Sequence, residues 1–248
     1  MKLKILSAVV FLLVCTSCLN VSLHAIGAYN TKAEPTAYTN NKKTIVFIPM
    51  RHIGLKEFYD DVHRLTDSLH NEGYIVFYES VKIRDSFTDE QKKIMDLKLR
   101  KMVGVSIDTI GYLDTVNNRL MGRRFKNRKG LMNQPKYTLM GADLTKDRVQ
   151  DVPVNELIAE YESRYGEIRL NPCDYNLRPD EKYECGKEPD DQVNAIIRGY
   201  RDESLAKAIM EEKNDKIVLV FGALHEWGVY KKLQTLDSTW VRVIKQHN

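Results

Sequence analysis

Three short apolar runs constrain the fold of this chain more than any other feature. They are TIVFIPM (44–50), YIVFYES (74–80) and KIVLVFGAL (216–224). Short runs rich in β-branched and aromatic residues are typical of buried strands. The segment between the first two has apolar residues at helical spacing and ends at Gly73, which suits a helix C-terminus. A strand, a helix and a strand in this order form a crossover, which makes the two strands parallel.

The remaining segments continue the alternation of strands and helices. KYTLMGADL (136–144) is predicted as a further strand, and TWVRVIKQ (239–246) as an alternating strand at a sheet edge. Helices are predicted in SFTDEQKKIMDLKLRKMVG, VPVNELIAEYESRYG, DDQVNAIIRGYRDESLAKAIMEEKND and EWGVYKKLQTL. The chain has 248 residues, of which 43% are hydrophobic, so a single core is expected. The predicted class is α/β, with a mostly parallel central sheet flanked by helices and room for an antiparallel edge strand.

The N-terminal segment MKLKILSAVVFLLVCTSC is typical of a secretion signal. Two lysines precede an apolar run that is too short for a permanent membrane span. The residues before Cys18 resemble a bacterial lipobox, although Cys15 stands where that motif prefers leucine. We therefore expect residues 1–18 to be a lipoprotein signal peptide and Cys18 to carry lipid. The alternative is simple secretion with cleavage near Ala25.

This interpretation sets the expected location and domain layout. The protein is predicted to be exported and anchored by its lipid to a membrane of the cell envelope, on the periplasmic or surface face. Residues 19–43 are polar and irregular, which indicates a flexible tether, and residues 44–248 then form one α/β domain. In an oxidising compartment, Cys173 and Cys185 are expected to form a disulfide. A metal site at these cysteines is less favoured, because no adjacent residue completes a ligand set.

The overall charge is small, and the remaining polar features are interpreted as solvated surface. The formal net charge is +4, and removing Lys2 and Lys4 leaves +2, which argues against a nucleic-acid partner. The basic run RLMGRRFKNRKG (119–130) is interpreted as a solvated loop. Contact of this run with anionic lipid or an acidic substrate is the alternative. His63 and His70 share a face of the first helix and are likewise interpreted as solvated.

A histidine or an acid stands just beyond the apolar part of each predicted parallel strand. These residues are His52, Glu79, Asp143 and His225. Parallel strands lie about 5 Å apart, and ligands bind in the crevice outside their carboxyl ends. Each residue also has a structural interpretation, because a histidine can be a satisfied polar group and Glu79 can complement a helix N-terminus. Asp143 can cap a turn, and for this residue we prefer that interpretation.

His52, Glu79 and His225 together form a workable ligand set for a divalent metal with an open position. Water bound to such a metal can attack a carbonyl. Arg201 has two interpretations. It is either a surface residue beside two acids or a buried group that binds a carboxylate or an oxyanion.

Four sequence blocks occur in the order and spacing of a known family. They are PMRHIG, YIVFYES, RDESLAKAI and GALHEWGVYKKL. They resemble the TraB/PrgY/GumN family, which is grouped with TIKI proteases, erythromycin esterases and ChaN-like haem-binding lipoproteins. By this resemblance His52, Glu79, Arg201 and His225 take the places of the family's first histidine, glutamate, arginine and second histidine. The glycine of the first motif is missing here, and Arg51 adds a positive charge that favours an anionic substrate.

The resemblance implies an exported hydrolase. A divalent metal would be held by His52, His225 and Glu79, or Glu79 would instead act as general base on a water. Arg201, with Arg51, would bind the substrate. The TIKI relatives imply a peptide substrate, and an ester is the other option. The alternatives are a protein that binds haem or another small ligand without turnover, and a partner that sequesters a secreted peptide. The metal, the substrate and the oligomeric state stay open.

Overall fold

A computed structural model of the protein describes residues 19–106 and 112–243. From edge to edge, the strands of its central sheet are β11 (Val241–Arg242), β1 (Thr36–Thr39), β2 (Thr44–Met50), β10 (Lys216–Gly222), β4 (Ile75–Tyr78) and β9 (Arg148–Val149). β10 runs parallel to β2 and β4, and β9 runs parallel to β4. β1 is antiparallel to both β2 and β11. The predicted α/β class, with a mostly parallel sheet and an antiparallel edge, is confirmed.

The helices largely follow the predicted pattern. Residues 19–25 form α1, and the later helices are α2 (Lys56–Asn71), α3 (Asp89–Val103), α4 (Val154–Tyr165), α5 (Pro172–Asn176), α6 (Asp190–Asn194), α7 (Arg201–Glu211) and α8 (Glu226–Leu236). Thr88 and Gln91 form a capping box at the start of α3, and Gly104 ends it with a φ of 83°. α6 and α7 are joined by a π-helical turn over Ala195–Tyr200, which contains the glycine at position 199.

The segments that connect the main elements form two small sheets in the described part of the chain. β3 (Ile53–Gly54) pairs with β8 (Met132–Asn133), and the strands β5 (Leu113–Asp114), β6 (Arg119–Leu120) and β7 (Arg123–Arg124) form an antiparallel sheet.

Helices cover both faces of the central sheet, because successive side chains of its strands point to opposite sides. Leu219 packs with Leu205 of α7 and Leu233 of α8 on one face. Its neighbour Val218 packs with Val62 of α2 on the other. Both clusters are buried, so the sheet lies at the centre of the fold. Polar residues are found where its strands end.

The segment KYTLMGADL is not a strand, so this prediction is wrong. Tyr137–Met140 form a 3-10 turn that Gly141 ends with a φ of 88°, a conformation that breaks an extended run. The place beside β4 is taken by β9 instead. Asp143 caps the turn that follows, since its carboxylate accepts hydrogen bonds from the backbone N–H and the hydroxyl of Thr145.

The flexible tether predicted for residues 19–43 is also wrong where this segment packs on the domain. Leu23 and Tyr38 are buried, at 3% and 4% exposure, and β1 lies within the tether range. β1 belongs to the sheet because it pairs with β2 over its whole length. The crossover between β2 and β4 is confirmed as parallel, but β10 lies between the two strands.

The predicted disulfide is present. Cys173 and Cys185 are bonded, with their Cα atoms 5.5 Å apart. The enclosed loop is held to α3 by Arg100, which donates to the carbonyls of Leu177 and Arg178 at 2.7 Å each. A disulfide that closes a loop of this length contributes about 3 kcal/mol to stability.

The predicted signal peptide over residues 1–18 and the lipid at Cys18 lie outside the described residues. Within residues 19–106 and 112–243, no helix combines the length and the apolar character that crossing a membrane requires. Both N-terminal interpretations therefore stay predictions.

Candidate functional site

A buried cluster of charged side chains lies at the carboxyl edge of the central sheet. Glu79 directly follows β4, and His225 ends the 3-10 turn that follows β10. Glu79, His225 and Arg201 are 8%, 6% and 6% exposed. Glu79 also accepts a hydrogen bond from the backbone N–H of Gly222 at 2.6 Å. The edge thus brings together three of the four residues that the family resemblance selects.

All five N–H donors of the Arg201 guanidinium face protein acceptors. Nε and Nη2 donate to the two carboxylate oxygens of Asp151 at 2.9 Å each, and Nη2 also donates to Glu79 at 2.6 Å. Nη1 donates to the carbonyl of Ile197 at 3.2 Å and to Nε2 of His225 at 3.1 Å. Because a guanidinium has five donors, Arg201 has none left for a substrate in this conformation. The expected substrate-binding role of Arg201 does not fit this geometry.

Asp151 is a member of the cluster that the sequence did not reveal. It lies just beyond β9 and accepts backbone hydrogen bonds from Ser80 at 3.0 Å and Val152 at 2.8 Å, besides those from Arg201. It therefore occupies the strand-end position that was predicted for Asp143. Both side chains of β9 are exposed, so no apolar run marks this strand in the sequence.

Asp202 is the second member that the sequence did not reveal. Although it precedes another acid in the chain, it is 4% exposed, and its carboxylate lies 2.6 Å from Nδ1 of His225. Nη1 of Arg201 can only donate, so Nε2 of His225 accepts and the ring proton sits on Nδ1, facing Asp202. This arrangement excludes the surface interpretation of Arg201 and its acidic neighbour.

Gly228 in α8 makes room for this carboxylate. A Cβ at Gly228 would lie 1.8 Å from Oδ2 of Asp202. Glycine costs about 1 kcal/mol relative to alanine inside a helix. A glycine shortly after a strand-end histidine was therefore the one sequence signal that could have indicated a close approach here.

The cluster's charges determine its protonation. Burial alone would raise the pKa of Glu79, but the charge of Arg201 and the hydrogen bonds from Arg201 and Gly222 lower it below its ordinary value. Burial alone would lower the pKa of Arg201, but Asp151 and Glu79 raise it overall. At neutral pH, Glu79 is therefore ionised and Arg201 is cationic.

His52 lies in a different environment. It lines a cavity of about 910 Å³ beside the cluster, and its ring stacks on Tyr112 with the ring centroids 4.7 Å apart. The residue as a whole is exposed, but surrounding protein atoms displace bulk water from its imidazole. This burial lowers the pKa of His52, and Arg201 lowers it further, while the carboxylate of Glu79 and a hydrogen bond to the side chain of Gln134 oppose the shift. The result is a neutral imidazole at pH 7 that is open to a bound molecule.

The cavity is lined by tyrosine hydroxyls, by lysine side chains and by part of the disulfide loop. Burial raises the pKa of the Tyr112 and Tyr137 hydroxyls, so both stay protonated and can donate. Lys82 and Lys136 are exposed and contribute positive charge to the lining. Residues 179–181, within the disulfide loop, form part of the wall. The cavity can therefore hold a molecule with both polar and apolar parts.

Arg51 contacts the N-terminal segment rather than the cavity. Its Nε donates to the carbonyl of Ile26 at 2.9 Å, and its guanidinium lies over the ring of Phe58 at 4.5 Å. It is not part of the lining of the described cavity. This placement does not fit the predicted role of Arg51 in substrate binding.

The metal predicted between His52, Glu79 and His225 does not fit this arrangement. Nε2 of His225 and one oxygen of Glu79 already accept hydrogen bonds from Arg201, whose positive charge would repel a dication at the same atoms. His52 is stacked on Tyr112 instead of joining them. In the described part of the chain, no group of three or more histidine, cysteine or acidic side chains is arranged to hold a metal ion.

The two histidines of α2, which are both predicted to be solvated, lie in different environments. His63 is 47% exposed, as predicted. His70 is 9% exposed, so the prediction that it is solvated is wrong. Its Nε2 lies 3.0 Å from Asp147, which also accepts the backbone N–H of Val76 at 2.8 Å. His70 and Asp147 therefore tie α2 to β4 and have a structural explanation.

No protein-family model, no curated protein and no solved structure matches this chain. The likeness to the TraB/PrgY/GumN family therefore depends on the four sequence blocks alone.

Proposed function

We propose that the protein is a hydrolase in which His52 is the general base. One observation supports this choice over the other members of the site. Glu79 and Arg201 also line the cavity, but they and His225 are held by hydrogen bonds to one another and to neighbouring groups. The ring of His52 lines the cavity with a hydrogen bond to the side chain of Gln134, which occupies one ring nitrogen and leaves the other for a water. A neutral imidazole beside a bound substrate can accept a proton from water.

The reaction needs one water and no further reactant. As the water oxygen bonds to the substrate carbonyl carbon, His52 takes a proton from that water. The tetrahedral oxyanion then collapses, the bond to the leaving group breaks, and the imidazolium returns the proton to that group. The hydroxyls of Tyr112 and Tyr137 donate to the oxyanion. The carboxylate of Glu79 favours the imidazolium, because its charge raises the pKa of His52.

The proposed substrate is a peptide or an ester that carries a negative charge. Both have the carbonyl that the reaction requires, and the cavity is large enough for a short peptide or a molecule of similar size. Lys82 and Lys136 take over the anion-binding role first expected of Arg51, because they line the cavity and Arg51 does not. The proposal keeps the predicted export and lipid anchor, which place the reaction in the cell envelope.

The test is hydrolysis of a panel of aryl esters and a defined peptide pool by the full chain. His52→Ala should lower kcat/KM by about 10²- to 10⁴-fold, as expected for loss of a general base. His63→Ala is the matched control, because His63 is a solvent-exposed histidine on a neighbouring helix. Activity in His52→Ala equal to wild type would refute the role of His52. Loss of wild-type activity in chelator, with recovery on adding zinc, would contradict a reaction based on the imidazole alone.

The second candidate is a ligand-binding protein without turnover. The saturated hydrogen bonding of Arg201 favours it, because a cluster with no free donor can serve as a rigid wall of a binding cavity. Stoichiometric retention of a peptide without cleavage would support this candidate. A Soret absorbance band after incubation with haem would identify haem as the ligand.

A further inference from the structure

The basic run 119–130 is an ordered element with its cations directed outward. β6 and β7 form a hairpin whose two turn residues have φ values of 49° and 74°, which is the two-residue turn preferred between such strands. Leu120 and Phe125 are buried beneath it. The side chain of Asn127 exchanges hydrogen bonds with the backbone of Leu131 at 2.6 and 2.9 Å. The hairpin and the loop after it therefore hold the charges in fixed positions.

Five of these cations form what we call the basic patch: Arg123, Arg124, Lys126, Arg128 and Lys129. All five are exposed. The run 119–130 contains no acid, and the described ion pairs include none of the five. The site proposed above makes no use of them. Five positive charges within seven residues, none of them in a described ion pair, favour binding of an anionic partner.

The basic patch lies beside the N-terminal segment. The ammonium of Lys129 is 4.3 Å from the ring centroid of Tyr29 and 3.4 Å from Nε2 of His24. Leu23 of α1 belongs to the same buried cluster as Phe125. Helix α1 is described from residue 19 onward, directly after the apolar N-terminal run. The patch is therefore next to the place where that run joins the domain.

Helix α1, which packs beside the basic patch, carries exposed aliphatic side chains. Val21 of α1 and Ile26 just after it are 65% and 60% exposed. Aliphatic groups next to clustered lysines and arginines are typical of surfaces that lie on a lipid bilayer. A nucleic-acid surface would instead offer aromatic groups for base stacking or an element shaped for a groove.

We propose that the basic patch, together with Val21 and Ile26, docks the domain on anionic phospholipid headgroups. The cations contact the phosphates, and the two aliphatic side chains enter the headgroup layer. Because the patch lies next to α1, a lipid on Cys18 would enter the same area of bilayer that the patch contacts. This docking does not depend on the hydrolase proposal, since it uses none of the cavity residues.

The test compares the full chain on two kinds of vesicle by flotation at about 0.1 M salt. One kind is phosphatidylcholine alone, and the other contains about 30 mol% phosphatidylglycerol. An N-terminal anchor adds to binding on both kinds, so the ratio of the two affinities isolates the patch. We expect wild type to prefer anionic vesicles by at least about 50-fold, because each cation near an anionic surface adds to affinity.

Two variants separate the patch from general charge. Replacing the five patch cations by glutamine should reduce the preference to less than about 5-fold. The control replaces five scattered, exposed cations by glutamine and should keep the preference within about 3-fold of wild type. These control positions are Lys42, Lys93, Lys146, Arg169 and Lys213. A third variant, with lysine at the three patch arginines, should behave as wild type because the charge is kept.

Three results would overturn the proposal. The first is equal binding of wild type to both vesicle kinds, and the second is a loss of preference in the scattered control as large as that in the patch variant. Tighter binding to duplex DNA or RNA than to anionic vesicles at equal salt would assign the patch to nucleic acid instead. Thermal unfolding of each variant checks that the exposed substitutions leave the fold intact.

Discussion

His52 and His225 follow two neighbouring strands of one sheet, yet their surroundings differ in kind. His225 is 6% exposed and hydrogen-bonded through both ring nitrogens, to Asp202 and Arg201. His52 lines a cavity, stacks on Tyr112 and hydrogen-bonds to the side chain of Gln134 through one ring nitrogen. The family resemblance gives both residues equal standing. Their geometry gives them different chemistry, because a proton acceptor needs a nitrogen that is not already occupied.

The difference teaches that position at a strand end does not determine what a residue can do. Glu79, Asp151 and His225 converge at the carboxyl edge as the parallel topology predicts, and His52 lies beside them in the cavity. What separates His52 from the others is its remaining hydrogen-bond capacity. The cluster around Arg201 supports the fold, and the cavity around His52 is open for a substrate. The following variants test whether this division is real, beginning with the largest expected effect.

Replacing Arg201 should be the most destructive change to the cluster. Arg201→Met leaves the buried carboxylates of Glu79 and Asp151 unpaired, which should cost about 3–5 kcal/mol of unfolding free energy. Arg201→Lys should restore little, because an ammonium has three donors for five acceptors. Urea unfolding measures both. Arg169→Lys is the control, since its side chain is 87% exposed. A stable Arg201→Met variant with lost activity would instead assign Arg201 to the substrate and break the comparison.

Gly228→Ala should disturb the His225 side and leave the His52 side intact. The added methyl group would overlap the carboxylate of Asp202, and such overpacking costs about 1–3 kcal/mol. Gly199→Ala is the matched control, because nothing lies within 4 Å of its Cβ position and alanine favours a helix. Thermal unfolding should show Gly228→Ala less stable and Gly199→Ala at least as stable as wild type. Equal stability of the two variants would mean that Asp202 has room to move.

As the pH is lowered, the free energy of unfolding should respond first to His52 and then, at lower pH, to Glu79. The pKa of His52 is lowered on folding, so the unfolded chain binds the extra proton, and this part of the stability is lost as pH falls below 6.5. The pKa of Glu79 is lowered as well, so its contribution is lost only below 4.5. Each group changes the slope by at most about 1.4 kcal/mol per pH unit.

His52→Ala separates these two contributions. Unfolding free energy measured between about pH 5 and 7 should fall less steeply in His52→Ala than in wild type. Parallel curves for the two proteins would show that His52 is solvated like an ordinary histidine, which contradicts the cavity environment described for it.

The elements with strong local signals are those that the sequence predicts correctly. β2 and β10 are continuous apolar runs, and α3 has both its capping box and its terminal glycine. β9 could not be found in this way, because it has two exposed residues and exists through pairing with β4. For this reason the sequence predicts the strand-end acid at Asp143, whereas Asp151 occupies that position in the structure.

The burial of Asp202 was hidden for a different reason. It sits between Arg201 and Glu203, a sequence typical of a solvated helix face. The π-helical turn just before Arg201 inserts an extra residue into the helical repeat and so rotates the face that follows. As a result, Arg201 and Asp202 both turn inward toward the sheet edge. A period of 3.6 residues read from the sequence carries no trace of such an insertion.

The β6–β7 hairpin links two regions that were described separately. Arg119 at its base lines the cavity, while Arg123 and Arg124 belong to the basic patch, and the strands are two residues long, about 7 Å. A domain resting on lipid through this hairpin would hold its cavity near the bilayer surface. Molecules that diffuse along the membrane would then reach His52 by a two-dimensional search, at local concentrations far above those in the surrounding fluid.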